Sequence, residues 1–220
     1  MKIYRIPENL QTIIFDIDST LYTNTAYAFE QVDVQVRHFA ELRNITAEKA
    51  RAMVAGYRKE WASRHNGQKI SLGNTFTAFG VTIEDSIEWR KKLLDPAQFL
   101  KPDGLLIPVL KKLKEKYRLI CVTNNPILPA RKTLEAIGIA DIIPDIIGLD
   151  TCHKSKPARE PFLLAAKKTD AASENCLSVG DRYDMDISLP LELGMGGILV
   201  TGVKDVYALP SILTTRKSTG

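Results

Sequence analysis

The second half of the chain alternates between short apolar runs and helix-length segments. The apolar runs predict strands at 119–122, 145–148, 176–179 and 197–200. The segments before and between them predict helices at 105–117, 131–137, 160–168 and 186–193. Strands separated by helices are typical of the α/β class with a doubly wound parallel sheet.

One more apolar run, residues 12–15, lies near the start of the chain and ends in acidic residues. Asp16 and Asp18 follow it two positions apart, and Thr20 follows them. A buried strand that delivers two carboxylates to one edge of a sheet indicates a functional site rather than a core. Open parallel sheets bind ligands outside the carboxyl ends of their strands, so we expect the site there.

The region between this run and residue 101 has helical periodicity. Residues 29–40 fit both a strand alternation and a helix face, and we favour a helix. Thr46 is a plausible N-cap, and Thr82 with Asp85 resembles a capping box. One predicted helix face carries Ala50, Met53, Val54, Tyr57 and Trp61. We therefore predict a core domain of residues 1–21 and 101–220, with a small α-helical insertion of residues 22–100.

Composition indicates an ordinary globular protein. The chain has 220 residues, of which 45% are hydrophobic and 25% charged, and its net charge is +4. The densest basic run, 111–116, is typical of a solvated helix face, so we expect no nucleic-acid partner. Without a membrane-length apolar stretch or a secretory signal, we expect no membrane association and a cytoplasmic location. The spacing of Cys121, Cys152 and Cys176 fits neither a disulfide framework nor a zinc site.

Other residues with chemical potential follow the later apolar runs or lie beside helix starts. Thr123 follows the run at 119–122, and Asp181 with Asp186 follows the run at 176–179. Lys156 lies in a lysine-proline pair just before a predicted helix. Together with Asp16 and Asp18, in this order, these residues resemble the motifs of the haloacid dehalogenase superfamily of phosphatases and phosphotransferases.

The resemblance implies a Rossmann-like core with a helical cap, and a Mg²⁺-dependent phosphomonoester hydrolase acting on a small phosphorylated metabolite. Asp16 would be the nucleophile that forms an aspartyl phosphate, and Asp18 the general acid and base. The phosphoryl group would be bound by Thr123, Asn124 and Lys156. The metal residues would be Asp16, Asp18 through its backbone carbonyl, Asp181 and Asp186.

Charge supports the implied metal. Asp16 and Asp181 beside a phosphate would repel it without a cation, and oxygen-only ligands favour Mg²⁺. Two positions stay open at this point. Lys154 is the alternative to Lys156 for the phosphoryl contact. Asp184 is a weaker alternative to Asp186, which would either bind the metal directly or hydrogen-bond to groups that do.

The sequence leaves several functions to compare. Phe15 before the aspartate pair and Leu21-Tyr22 after it resemble the pyrimidine 5′-nucleotidase branch, which implies nucleoside monophosphates as one candidate substrate class, with sugar phosphates and phosphoglycolate as the alternatives. A phosphomutase would use the same aspartates, whereas dehalogenase relatives lack the second one. From a different class, a phospho-receiver or an inactive binding protein would also carry acids on such a sheet. Asp18 argues against a receiver, because it would make the phosphoryl group turn over quickly.

Overall fold

The computed structural model describes residues 1–67 and 70–215. The chain forms two compact units, the first comprising Met1–Asn24 and Pro96–Gly220, and the second comprising Thr25–Asp95. The sequence analysis placed the insertion at 22–100, so the two sets of boundaries differ by a few residues at each end. In the first unit, Asn24 Nδ2 donates a hydrogen bond to Phe99 O at 2.8 Å. This bond joins the point where the chain leaves the first unit to the point where it returns.

The first unit is built on a six-stranded sheet with the strand order β1-β6-β5-β2-β3-β4. Its strands are β1 (Lys2–Arg5), β2 (Thr12–Phe15), β3 (Arg118–Val122), β4 (Ile146–Ile147), β5 (Cys176–Gly180) and β6 (Gly196–Leu199). The strands β2 to β6 run parallel to one another, which confirms the predicted α/β class and the parallel arrangement of the predicted strands. Each predicted strand is present, with ends shifted by a residue or two.

The strand β1 was not predicted, and it makes the sheet mixed because it pairs with β6 in the antiparallel sense. It is short and mostly exposed, so it lacks the continuous apolar run that marks the other strands. An edge strand needs a partner on one side only. Charged residues such as Lys2 and Arg5 discourage the open side from pairing with another chain.

Helices connect the strands and form the second unit. They are α1 (Thr25–Leu42), α2 (Ala47–Arg64), α3 (Leu72–Thr77), α4 (Ile83–Leu93), α5 (Leu106–Lys114), α6 (Ile127–Ala136), α7 (Leu149–Cys152), α8 (Arg159–Lys168), α9 (Ser188–Glu192), α10 (Val203–Val206) and α11 (Leu209–Thr215). Among the described residues, no helix combines the length and the apolar character that a membrane span needs.

The helices α6 and α9 begin away from their predicted starts, and each has a proline in its first turn. The helix α6 begins at Ile127, before the predicted position 131, and Pro129 lies in its first turn. The helix α9 likewise has Pro190 in its first turn, and the preceding Tyr183–Ile187 forms a π-helical turn. A proline in the first turn breaks no helical hydrogen bond, since the N–H groups there have no partner within the helix.

The strand β2 lies at the centre of the sheet, between β3 and β5. All of its side chains are buried, as expected for a strand covered on both faces. On one face the sheet packs against α8 and against Met195, the residue before β6. The buried members of this cluster are Ile14, Ile120, Val122, Ile147, Phe162, Ala165, Ala166, Cys176 and Met195. This core holds β2, and therefore the residue that follows it, in a fixed position.

The second unit is helical, as predicted, and α1 confirms the helix favoured at 29–40. Thr46 caps α2 by accepting a hydrogen bond from Lys49 N at 3.2 Å, and Thr82 caps α4 by accepting one from Asp85 N at 3.0 Å. One cluster of buried side chains in this unit comprises Val36, Phe39, Ala40, Ala50, Val54, Phe76, Val81 and Trp89. The predicted core face of α2 is wrong at Met53, which is exposed.

Asp33 is a buried charge within the second unit. Its carboxylate accepts hydrogen bonds from Arg51 Nε at 2.7 Å and from Arg37 Nη1 at 2.5 Å. The hydrogen bond from Arg51 has the largest influence, and together with that from Arg37 it lowers the pKa of Asp33 although burial opposes the shift. Because Arg51 belongs to α2 and Asp33 to α1, this ion pair joins the two helices.

Replacing Asp33 with Asn should lower the free energy of unfolding by about 1.5–3 kcal/mol at neutral pH, because the three hydrogen bonds from Arg37 and Arg51 lose their charged acceptor. The folded-state pKa lies below the unfolded value of about 4, so the stabilisation is present above that value and is lost as the pH falls through the folded pKa. In urea unfolding, the difference between the variant and the wild type should be constant from about pH 5 to 7 and shrink below about pH 4.

The control is Glu88→Gln, at an exposed pair with Lys91. It should change stability by less than about 0.5 kcal/mol at every pH. A stability loss in Asp33→Asn that is equal at acid and neutral pH would contradict the assignment.

Candidate active site

The predicted site residues follow the carboxyl ends of adjacent parallel strands. Asp16 comes directly after β2, Thr123 after β3 and Asp181 after β5. The last residue of β2, Phe15, is in register with the penultimate residues of both β3 and β5. Because parallel neighbours in this register end at one edge of the sheet, the three side chains start from neighbouring points.

The ammonium group of Lys156 lies between two buried carboxylates. Its Nζ donates to Asp16 Oδ1 at 2.6 Å and to Asp186 Oδ1 at 2.5 Å. All three residues are at most 9% exposed. Burial disfavours the charged ammonium, but the attraction of the two carboxylates outweighs it and raises the pKa of Lys156. The lysine is therefore held as a cation against the predicted nucleophile.

The two lysines that the sequence left as rivals have different surroundings. Lys154 is exposed and forms an ion pair with Glu160. Lys156, in contrast, is buried and contacts Asp16 directly. The geometry favours Lys156 for the predicted phosphoryl contact.

Asn124 holds the main chain of Lys156. Its Oδ1 accepts a hydrogen bond from Lys156 N at 2.7 Å, and its Nδ2 donates one to Lys156 O at 3.2 Å. The residue held in this way is the one that precedes the cis peptide bond to Pro157. The phosphate contact of Asn124 stays a prediction, while the structure shows its side chain fixing the backbone that carries the lysine.

Three carboxylates form a group that could hold a metal ion. One oxygen from each of Asp16, Asp181 and Asp186 lies within 4.8 Å of the others. Oxygen donors of this kind suit hard divalent cations such as Mg²⁺. Lys156 balances one of these three charges, so a divalent cation would balance the remaining two. The donor set fits the predicted metal, and the backbone contact of Asp18 stays a prediction.

The pKa values reflect the crowding of negative charge. Burial raises the pKa of Asp16 most strongly; Lys156 lowers it, and the charges of Asp186 and Asp18 add to the rise. Burial, followed by the charge of Asp186, raises the pKa of Asp181 to about 6. Both shifts disfavour the ionised carboxylates, and a cation bound among them would act in the opposite direction.

Gly180 allows Asp186 to fold back against β5. A Cβ at position 180 would lie 2.4 Å from both Cβ and Cγ of Asp186. Asp186 Oδ2 accepts a hydrogen bond from Arg182 N at 3.0 Å, and its carbonyl oxygen accepts one from Ser178 Oγ at 2.6 Å. The rival acid, Asp184, is exposed and pairs with the Arg182 side chain. Of the two acids, the structure therefore places Asp186 at the site.

Asp18 is held by two side chains that the sequence analysis gave no role. Tyr22 OH donates to Asp18 Oδ1 at 2.5 Å, and Asn125 Nδ2 donates to Asp18 Oδ2 at 2.9 Å. A spacing of four residues across a turn could have suggested the tyrosine. No local pattern marks Asn125, because it lies 107 positions from its partner.

Thr123 is buried at the end of β3. Its Oγ1 accepts a hydrogen bond from Asn125 N at 3.1 Å. A hydroxyl that accepts one hydrogen bond can still donate its own proton. The side chain therefore keeps the donor that its predicted phosphate contact requires, and that contact stays a prediction.

Comparison with known proteins identifies relatives across most of the chain. The family model of the haloacid dehalogenase-like hydrolases matches residues 10–192. A 5-amino-6-(5-phospho-D-ribitylamino)uracil phosphatase of Escherichia coli is 22% identical, over 89% of this chain and 85% of its own. A phosphoglycolate phosphatase of Rhodospirillum rubrum is 26% identical, over 78% of this chain and 71% of its own. The crystal structure of an HAD phosphatase from Thermococcus onnurineus has a TM-score of 0.66 at 20% identity, covers 93% of this chain and 98% of that one, and shows the same fold.

Replacing Gly180 with Ala should lower the free energy of unfolding by about 1–3 kcal/mol, the usual result of overpacking a filled interior. The added methyl group would overlap the Asp186 side chain, which is anchored by its own hydrogen bonds. Urea unfolding measures the loss. Gly56→Ala is the matched control. Gly56 lies in α2, and a Cβ added there would meet nothing within 4 Å. That variant should gain about 0.5–1 kcal/mol. Wild-type stability in Gly180→Ala would contradict the packing described.

Proposed function

The chain belongs to the haloacid dehalogenase-like hydrolases, and from this premise we propose that it is a Mg²⁺-dependent phosphomonoester hydrolase with an aspartyl-phosphate intermediate. The relatives described above are named as phosphatases, each of a different small compound. One observation carries the proposal: the buried Asp16 carboxylate lies 2.6 Å from the Lys156 ammonium and within an acidic group that could hold a metal. This arrangement combines a nucleophile with the positive charge that a phosphate ester needs.

In the first step, a carboxylate oxygen of Asp16 attacks phosphorus and the bond from phosphorus to the ester oxygen breaks. The electron pair of that bond stays on the leaving oxygen, which takes a proton from the Asp18 carboxyl group. Lys156 and Thr123 donate hydrogen bonds to the phosphoryl oxygens, where they stabilise negative charge in the transition state.

In the second step, water attacks the phosphorus of the aspartyl phosphate. The Asp18 carboxylate takes a proton from this water, and the bond from phosphorus to Asp16 breaks, which restores the free carboxylate. When bound, Mg²⁺ supplies the positive charge that allows an anionic nucleophile to approach an anionic phosphate. The side chains of Asp16, Asp181 and Asp186, with the carbonyl of Asp18, would hold it.

The proposed substrate is a small phosphorylated metabolite, with nucleoside monophosphates as the first class to test. The support is the motif around Asp16, where Phe15 and Leu21-Tyr22 resemble the pyrimidine 5′-nucleotidase branch. The second unit, Thr25–Asp95, is proposed to be the cap domain that selects the leaving group. A screen of phosphorylated metabolites in Mg²⁺, comparing kcat/KM by phosphate release, tests the substrate class. A phosphomutase would transfer the phosphoryl group to an organic acceptor and release little inorganic phosphate.

Replacing Asp16 with Asn should reduce the hydrolysis of an aryl phosphate by about 10⁴-fold or more, because the amide cannot attack phosphorus. The assay follows release of the phenol in Mg²⁺, and the wild-type rate should disappear in EDTA and return when Mg²⁺ is added. Asp184→Asn serves as the control, since this acid is exposed and pairs with Arg182. It should keep a rate within about threefold of the wild type. Full activity in Asp16→Asn would refute the proposal.

Replacing Lys156 with Ala should reduce kcat/KM by about 10²–10³-fold, the usual effect of removing one donor that stabilises transition-state charge. The same substitution at Lys154 should have little effect, because that lysine contacts Glu160 instead. Thermal unfolding of both variants separates lost chemistry from lost folding. A large loss of kcat/KM in Lys154→Ala with an unchanged value in Lys156→Ala would assign the phosphoryl contact to Lys154 instead.

A further inference from the structure

Both oxygens of the Asp18 carboxyl group accept hydrogen bonds, and the two donors come from separate parts of the first unit. Tyr22 binds Oδ1 from the turn that follows β2, and Asn125 binds Oδ2 from the loop that follows β3. Two hydrogen bonds to the two oxygens of one carboxyl group fix both its position and the direction of its plane. With only one donor, the plane of the carboxyl group could still rotate about that single hydrogen bond.

The turn after β2 delivers the tyrosine hydroxyl. Leu21 N donates to Ile17 O at 3.0 Å, which reverses the chain directly after Asp18. The Leu21 side chain is fully buried, and Tyr22 is 5% exposed. The hydroxyl therefore reaches Asp18 from a packed ring rather than from a mobile surface side chain.

The loop after β3 delivers the amide in a similar way. Asn125 N donates to Thr123 Oγ1 at 3.1 Å, and Asn125 O accepts a hydrogen bond from Leu149 N at 3.0 Å. A Cβ at Gly148 would lie 2.9 Å from Asn125 O, so the loop after β4 approaches it closely. The main chain of Asn125 is thus held on both sides while its side chain reaches Asp18.

We propose that Tyr22 and Asn125 are positioning residues that hold the Asp18 carboxyl group in one orientation through both proton transfers. This inference rests on the proposed function, in which Asp18 gives a proton to the leaving oxygen and later takes one from water. A tyrosine hydroxyl can donate or accept a hydrogen bond, so it stays bonded to Oδ1 whether or not that oxygen carries the proton. The Asn125 N–H group donates to Oδ2 in both states. The carboxyl group can therefore change its protonation without changing its aim.

The sensitivity of the rate to the leaving group tests the proposal. Cleavage of an alkyl ester needs a proton on the leaving oxygen, whereas dinitrophenolate departs without one. Proton donation by a positioned acid is worth about 10²–10⁴-fold, and a small misplacement of a reacting group can cost about 10²-fold. Losses that come from a misaimed Asp18 should therefore grow as the leaving group becomes poorer.

The experiment measures kcat/KM of the full chain in Mg²⁺ with dinitrophenyl phosphate, phenyl phosphate and glycerol phosphate. Tyr22→Phe should lose about 10–10²-fold with glycerol phosphate and less than about threefold with dinitrophenyl phosphate. Asn125→Ala should show the same trend. The second step, hydrolysis of the aspartyl phosphate, also uses Asp18 and should be slowed in both variants. With dinitrophenyl phosphate, each variant should therefore release a burst of dinitrophenolate equal to the enzyme concentration, followed by slower turnover.

Two controls separate a changed orientation of Asp18 from a nonspecific loss of activity. Tyr207→Phe removes a hydroxyl that donates to Asp103 Oδ2 at 2.6 Å, a pair that contains none of the site residues. It should leave the dependence on the leaving group unchanged. In the Asp18→Asn background, adding Tyr22→Phe should change no rate by more than about twofold, since residues that act through one group are not additive.

A uniform loss with all three esters would overturn the proposal, as would a full further loss from Tyr22→Phe in the Asp18→Asn background. A wild-type profile in both Tyr22→Phe and Asn125→Ala would do the same. Failure of the proposed function is a different result. The wild type would hydrolyse none of the three esters, or the loss of kcat/KM in Asp18→Asn would be the same for all three.

Discussion

An ammonium group between two buried carboxylates is the interaction on which the site depends. Charges removed from water are unfavourable unless an opposite charge and hydrogen bonds compensate them. Lys156 provides both for Asp16 and Asp186. Without this lysine, two acids would face each other in an interior that cannot screen them. The apolar core fixes the main chain that leads to Asp16, and this contact gives its carboxylate a fixed, charged partner.

Several neighbouring features serve the same contact. Asn124 brackets the main chain of Lys156, so the ammonium starts from a fixed point. Gly180 leaves room for Asp186, and Ser178 holds the carbonyl of that acid from within β5. Ser178 and Gly180 lie in β5, and Asn124 lies two residues after β3. The parallel sheet therefore fixes the points from which these candidate site residues start.

The parts of this arrangement that local sequence encodes could be predicted. Parallel strands are buried on both faces and stand out as apolar runs, and the acids at their ends were visible for that reason. The short charged β1 has no such run, and α6 begins before its predicted start, with Pro129 in its first turn. The partnership of Asn125 with Asp18 and that of Asn124 with Lys156 join positions far apart in the chain. No local periodicity encodes a side chain that crosses from one loop to another.

The hydrogen bond between Asn24 and Phe99 has a consequence for how such a chain can evolve. It joins the exit from the sheet-bearing unit to its re-entry, so whatever lies between these points only has to begin and end in the same place. The entropy of closing a loop grows slowly with its length. Segments of very different size can therefore be exchanged at this junction without changing the strand order of the first unit. The proposed selection of substrate would then reside in a segment that can be replaced independently of the proposed reaction centre.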